Sequence, residues 1–140
     1  MLLVVDTNVL FAAVARDSTT RRIILSTPIR FAGPKFVFDE LLEHMGELCV
    51  KNGQSPSKNL EIIGLLRSHV TESSRYPDID YMEEANRLMG AVDPDDVPVL
   101  ATALSLKCDG IWSDDRHFEK QRQVKVWKTR ELVHFIRDSP

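Results

Sequence analysis

The chain opens with four apolar residues, Leu2–Val5, that lead directly into Asp6. A run this short and this apolar is typical of a strand buried on both faces, as strands are in parallel sheets. A second apolar run, residues 9–15, follows almost at once and predicts a helix. The beginning of the sequence therefore favours an α/β fold, with one carboxylate at the turn between the first strand and the first helix.

The rest of the chain continues this alternation. Further strands are predicted at residues 29–32, 110–113 and 124–127. Helices are predicted after Ser18, from Pro34 to about Asn52, from residue 55 along an apolar stripe that reaches Val70, at 81–89 and at 97–108. Thr129 is predicted to cap a final helix, and the polar segment 71–80 is predicted to be a loop. This pattern predicts a single α/β domain over residues 1–140 with a central, mostly parallel sheet.

Composition excludes several classes of protein. The 140 residues are 43% hydrophobic and 28% charged, as in ordinary globular domains. No apolar stretch approaches the ~20 residues that span a bilayer, and no basic region precedes the N-terminal run, so neither a membrane span nor a signal peptide is expected. Two well-separated cysteines, Cys49 and Cys108, indicate a reduced pair and a cytoplasmic location.

Acidic residues fall where strands end and helices begin. In parallel sheets, ligands bind beyond the carboxyl ends of the strands, and carboxylates gathered there suit hard divalent cations. The net charge of −3 is uneven, because residues 36–100 carry −8 whereas the two flanking segments carry +3 and +2. The acids in such positions are Asp6, Asp95, Asp96, Asp114 and Asp115, whereas Glu40 is expected about two turns into the helix after the second strand.

Spacing alone leaves two interpretations of these acids open. Each aspartate near a helix start also suits an N-cap, and Glu40 also suits a solvated helix face. Asp95 competes with Asp96, and Asp114 competes with Asp115, for the same role. Patterning by itself therefore predicts a metal site only weakly.

Four segments of the sequence resemble the four blocks of a PIN domain, in that family's order and spacing. They are "VVDTNVLFAA", "GPKFVFDELLEH", "DPDDVPVLATAL" and "GIWSDDRHF". The resemblance covers nearly the whole chain, and it implies a three-layer α/β/α fold that binds Mg²⁺ or Mn²⁺ and cleaves RNA. Many stand-alone members are toxins of VapC-type toxin–antitoxin pairs, so the resemblance also implies an antitoxin partner and a homodimer.

The resemblance also implies the site residues. The catalytic and metal-binding acids are expected to be Asp6, Glu40, Asp96 and Asp115, with Asp115 preferred because the family's acid usually lies three positions before the phenylalanine, here Phe118. Three further residues are expected at the site: Asp114 as an alternative or additional ligand, Asn8 beside the first acid, and Ser113 at a small hydroxyl position. The implied chemistry is metal-assisted hydrolysis of phosphodiester bonds.

Other functions are weighed against this one. A haloacid dehalogenase-type phosphatase needs a second acid two residues after the first, where this chain has Asn8. A receiver domain needs paired acids after the first strand, where only Asp6 is present. A catalytically inactive PIN-like module that only binds RNA or protein stays open, although the full set of acids argues against it.

The remaining chemistry-bearing residues are interpreted more simply. Both tryptophans are expected in the core, and His44 and His117 are expected to be ordinary surface histidines. Basic residues are expected to hold the flanking phosphates of RNA. The candidates are Arg16, Arg21, Arg22, Arg116 and Lys120.

Overall fold

The sheet has five strands, all parallel, in the part of the chain that the computed structural model describes, residues 1–74 and 79–138. The strands are β1 (Leu2–Val5), β2 (Arg30–Gly33), β3 (Val70–Glu72), β4 (Gly110–Trp112) and β5 (Val126–Trp127), in the order β3-β2-β1-β4-β5. Val4 pairs with Ala32 on one side and with Ile111 on the other. The strand order therefore reverses at β1, and ligands bind beyond the carboxyl ends of strands at such a point.

Eight α-helices connect these strands within the same described residues. They are α1 (Thr7–Ala15), α2 (Thr19–Ser26), α3 (Val37–Glu43), α4 (Met45–Asn52), α5 (Pro56–Arg67), α6 (Ile79–Met89), α7 (Val97–Leu106) and α8 (Thr129–Asp138). Two 3-10 turns, Pro94–Asp96 and Arg116–Lys120, follow α6 and β4. None of the described helices is long and apolar enough to cross a bilayer.

Each face of the sheet carries its own hydrophobic core. Leu3 and Val5 lie in a cluster with residues of α1 to α5 and α8, whereas Val4 lies in a second cluster with residues of α6 and α7. Alternate residues of β1 face opposite sides because successive strand side chains do so. Trp112 is fully buried, as expected of a core residue. The predicted α/β/α layering around a parallel sheet is confirmed.

One predicted loop contains a strand and the start of a helix. The prediction for residues 71–80 was wrong at both ends, because β3 covers Val70–Glu72 and α6 begins at Ile79. Val70, expected on a helical stripe, instead pairs with Phe31 at the edge of the sheet. Polar side chains are tolerated on an edge strand, so the composition of this segment resembled a loop. Residues 75–78 lie outside the described residues.

The long helix predicted from Pro34 to Asn52 is two helices. Residues 34–36 form a turn in which Phe36 has a positive φ of 71°, and α3 starts only at Val37. The chain breaks again at His44, whose N–H bonds to the Leu41 carbonyl before α4 begins. The apolar spacing runs through both helices without interruption, so it gave no sign of either change. Other boundaries differ by a few residues, with α7 ending at Leu106 and β5 beginning at Val126.

Candidate active site

Asp6 lies at the carboxyl end of the central strand. It lines the cavity there and also caps the helix that follows. It is the N-cap of α1, where its Oδ1 accepts a hydrogen bond from the Val9 N–H at 2.9 Å. Its Oδ2 accepts a hydrogen bond from the Ser113 hydroxyl at 2.9 Å. Only 4% of Asp6 is exposed, so both oxygens are held in a nearly dry position. Asp6 is therefore an N-cap, and the same carboxylate also lines an acidic cavity.

Ser113 connects Asp6 to the end of β4. Its Oγ accepts the Asp115 N–H at 3.1 Å while its hydroxyl donates to Asp6. Asp115 in turn accepts the His117 N–H at 2.9 Å and so starts the 3-10 turn that follows. This chain of hydrogen bonds fixes Asp115 relative to Asp6, and both side chains line the same cavity.

Glu40 and Asn8 line the cavity from the helices that follow β1 and β2. Glu40 was expected two turns into its helix, but the late start of α3 puts it in the first turn. Its Oε2 accepts a hydrogen bond from the Thr7 hydroxyl at 2.8 Å, which orients the carboxylate toward α1. Asn8 is exposed, and it also borders a smaller neighbouring pocket.

Asp96 completes the group of four predicted acids, together with two residues whose role at the site the sequence did not indicate. Asp96 is 7% exposed, and its Oδ2 lies 3.2 Å from the His117 Nδ1. The same nitrogen lies 3.2 Å from Asp93 Oδ2 and 3.3 Å from Asp115 Oδ1. The sequence predicts an ordinary surface histidine at position 117 and no role for Asp93. The Asp-x-x-Asp spacing around Pro94 was the only sequence feature that pointed to Asp93.

Asp114 points away from this group. Its two carboxylate oxygens accept hydrogen bonds from the Thr129 N–H at 2.8 Å and the Thr129 hydroxyl at 2.7 Å. Thr129, predicted as the cap of the last helix, is instead the first residue of α8, and the Lys128 carbonyl accepts the first helical bond from Leu132. The structure therefore brings Asp115, and not Asp114, into the cavity with Asp6.

The cavity, about 710 Å³ in volume, is strongly acidic. Eight of its lining residues are acids and none is lysine or arginine: Asp6, Glu40, Glu43, Glu47, Asp93, Asp95, Asp96 and Asp115.

Among the basic residues predicted to hold phosphates, Arg21 already binds backbone carbonyls of α1. Its guanidinium donates to the carbonyls of Ala13 and Val14 at 2.7 and 3.1 Å, so its role is to support α1. Arg16, Arg22, Arg116 and Lys120 are exposed.

Burial and mutual repulsion raise the pKa of two of the acids. Burial raises the pKa of Asp6, with a smaller contribution from Asp115. Burial and then the charge of Asp93 raise the pKa of Asp96 to about 6. The pKa of the His117 imidazole is also raised, chiefly by its hydrogen bond to Asp96. A set of partly desolvated oxygen donors that repel one another fits a divalent cation, because the cation replaces the missing positive charge.

Comparisons with known proteins agree with this architecture. A family model described as a PIN domain matches residues 4–136. Among solved structures, VapBC2 from Rickettsia felis bound to a DNA fragment from their promoter superposes with a TM-score of 0.69 at 13% identity, covering 91% of this chain and 98% of that chain. VapBC-1 from nontypeable Haemophilus influenzae superposes with a TM-score of 0.67 at 16% identity, covering 93% of this chain and 99% of the other. No curated protein sequence matches the chain significantly.

Proposed function

This chain belongs to the PIN domain family, a family of nucleases, and we propose that it is a metal-dependent ribonuclease. Asp6, Glu40, Asp96 and Asp115 would hold Mg²⁺ or Mn²⁺ and form the catalytic centre. The observation that carries this proposal is that all four acids line one cavity at the carboxyl end of the central strand β1. A bound cation supplies Lewis acidity, which activates water for attack on a phosphodiester and offsets charge on the phosphate.

The chain's own contribution is to hold the carboxylates in place before a cation arrives. Asp6 is fixed at both oxygens, Asp115 is linked to it through Ser113, and Glu40 is oriented by Thr7. Ligands whose orientation is fixed in advance lose little conformational entropy on binding. Burial of Asp6 and Asp96 excludes water from these two carboxylates, which strengthens their own charge interactions.

The negative charge of the cavity explains why RNA binding, as well as cleavage, would depend on the cation. Phosphates repel eight nearby carboxylates, so the scissile phosphate enters only when divalent cations neutralise part of that charge. Positive side chains outside the cavity are then proposed to hold the flanking phosphates. These are the exposed residues Arg16, Arg22, Arg116 and Lys120.

The toxin role and its partners are part of the same proposal. Both solved structures named above are of VapBC pairs, and this chain covers 98–99% of the matched chains. This supports a toxin that pairs with a small antitoxin protein. We also propose that the chain forms a homodimer and acts in the cytoplasm, where its RNA substrate is found.

The test is cleavage of single-stranded RNA by the purified protein, with Mg²⁺ or Mn²⁺ and with excess EDTA. Cleavage should require the metal, and Asp6→Asn should reduce it by roughly 10²-fold or more, because one fixed ligand is lost. Asp95→Asn is the matched control, because Asp95 lines the same cavity but lies outside the proposed ligand set. Equal cleavage in EDTA would exclude the metal mechanism. RNA binding without cleavage under any metal would indicate an inactive scaffold.

A further inference from the structure

One imidazole nitrogen lies against three carboxylates at the edge of the cavity. His117 Nδ1 is 3.2 Å from Asp93 Oδ2, 3.2 Å from Asp96 Oδ2 and 3.3 Å from Asp115 Oδ1. One ring nitrogen carries at most one proton. Asp115 Oδ1 already accepts the His117 backbone N–H at 2.9 Å, whereas Asp93 Oδ2 and Asp96 Oδ2 compete for the single proton of the ring nitrogen. The arrangement has more acceptors than donors, which is the composition of a cation site.

The backbone brings Asp93 and Asp96 together. Asp93 is the N-cap of the 3-10 turn Pro94–Asp96 and Asp96 is the last residue of that turn, and side chains three residues apart in such a turn eclipse each other. Asp93 Oδ1 caps the turn by accepting the Asp95 N–H at 2.9 Å, so its Oδ2 is the oxygen that faces His117. Neither carboxylate therefore has to move to point at the imidazole.

His117 is held by a separate segment of the chain, the one that follows β4. It lies in the turn Arg116–Lys120, and its own N–H is fixed by Asp115 Oδ1 at 2.9 Å. One ligand atom from each of Asp93, Asp96 and His117 lies within 4.8 Å of the others. Ligand atoms around an ion with bonds of about 2.1 Å are roughly 3.0–3.4 Å apart, so the observed separations at the nitrogen suit a shared ion.

We propose that Asp93, Asp96 and His117 form a second cation position, with Asp115 at its border, that favours Mn²⁺ over Mg²⁺. The proposal rests on the proposed function in that Asp96 and Asp115 also belong to the four-acid group. It adds two ligands, Asp93 and His117, that this group lacks. The selectivity follows from the donor set, because Mg²⁺ prefers all-oxygen ligands whereas first-row transition ions accept an imidazole nitrogen.

The direct test is pulsed electron paramagnetic resonance of the protein with one and two equivalents of Mn²⁺. Coupling of the ion to a ¹⁴N nucleus reports a nitrogen ligand, and a purely structural role for His117 would not produce it. We expect this coupling in the wild type and in His44→Gln, and its loss in His117→Gln. His44 is the matched control because it lines the same cavity but pairs with Glu47 instead.

A second variant keeps the test decisive if His117→Gln does not fold. Asp93→Asn should weaken Mn²⁺ binding by roughly tenfold in calorimetry and leave Mg²⁺ binding nearly unchanged, whereas Asp95→Asn should change neither. Absence of nitrogen coupling in the wild type, or its persistence in His117→Gln, would overturn the proposal. If Mg²⁺-dependent cleavage survives without nitrogen coupling, only this inference fails. If coupling is present but no metal supports cleavage, the proposed function fails and this site stands.

Discussion

Asp114 and Asp115 are adjacent in sequence, yet their carboxylates have different surroundings. Asp114 is bound to Thr129 at the start of α8, whereas Asp115 lines the acidic cavity. We therefore expect Asp115→Asn to abolish RNA cleavage with little change in melting temperature. Asp114→Asn should retain cleavage and cost about 1 kcal/mol or less of unfolding free energy, because a helix-start interaction is weakened. Cleavage rates and thermal melts of the two variants measure both effects, and the reverse order of activity would show that the assignment is shifted by one residue.

The raised pKa of Asp96 predicts a specific pH dependence of stability. The pKa of Asp96 in the folded protein is about 6, compared with an ordinary value of 3.8. The folded state therefore binds this proton more tightly than the unfolded state, and the metal-free protein loses stability as pH rises from about 4 to about 6. Asp96→Asn has no proton to lose, so its stability relative to wild type should increase across this range.

That gain should reach on the order of 1–3 kcal/mol by about pH 6. Denaturant unfolding of both proteins at several pH values without metal measures it. His117 adds to the difference at higher pH. Its pKa is raised from 6.5 chiefly by the hydrogen bond to Asp96, so wild type loses this further contribution as pH rises above 6.5, whereas Asp96→Asn lacks it from the start. A stability difference that does not vary with pH would mean that Asp96 is solvated and is not held in a repulsive, buried site.

Hydrogen bonds at both ends of helix α1 fix its position relative to the sheet. Asp6 caps its N-terminus, and Arg21 of α2 donates to two carbonyls near its C-terminus. Arg21→Ala should cost roughly 1–3 kcal/mol of unfolding free energy, since two carbonyls would lose a charged donor. Arg22→Ala is the control and should change stability by less than about 0.5 kcal/mol, because Arg22 is exposed.

The same pair of variants separates structural arginines from arginines that bind phosphate. The salt dependence of RNA binding should be unchanged in Arg21→Ala, because its guanidinium is already bonded to the backbone. A shallower dependence of log Kd on log salt in that variant would restore the original sequence interpretation of Arg21 as a phosphate ligand.

The sequence predicted those elements whose cause is local in the chain. The apolar run of β1 and the Ser55-Pro56 start of α5 were found because each has a local cause: burial on both faces, and an N-cap followed by proline in the first turn. The edge strand β3 was missed because it depends on a tertiary contact, and the break at His44 was missed because the apolar spacing continues through it. Val70 is a strand residue because Phe31 is beside it, and no local pattern records that neighbour.

The candidate site was also predictable only in part. The four acids follow from the resemblance and from the rule that ligands lie at the carboxyl ends of parallel strands. The positions of Asp93 and His117 could not be predicted, because two 3-10 turns separated by α7 and β4 bring them together. Periodicity does not predict where such turns meet.

At the level of the whole molecule, the order β3-β2-β1-β4-β5 places β1 at the centre of the sheet, and Asp6, directly after β1, lines the cavity with seven other acids. Our central claim is that these carboxylates repel one another until a divalent cation binds. Asp6→Asn removes one buried charge, and the new amide oxygen is still able to accept the hydrogen bond from Val9. The variant thus separates the role of the charge from the role of the helix cap.

The most direct measurement is therefore the melting temperature of wild type and Asp6→Asn, each with and without Mg²⁺ or Mn²⁺. A cation that binds only the folded state raises the melting temperature by mass action. Without metal, Asp6→Asn should melt at or above the wild-type temperature, and most of the stabilisation by metal should be lost. A variant that melts earlier than wild type yet gains as much from the cation would show that Asp6 supports the fold and does not hold the ion.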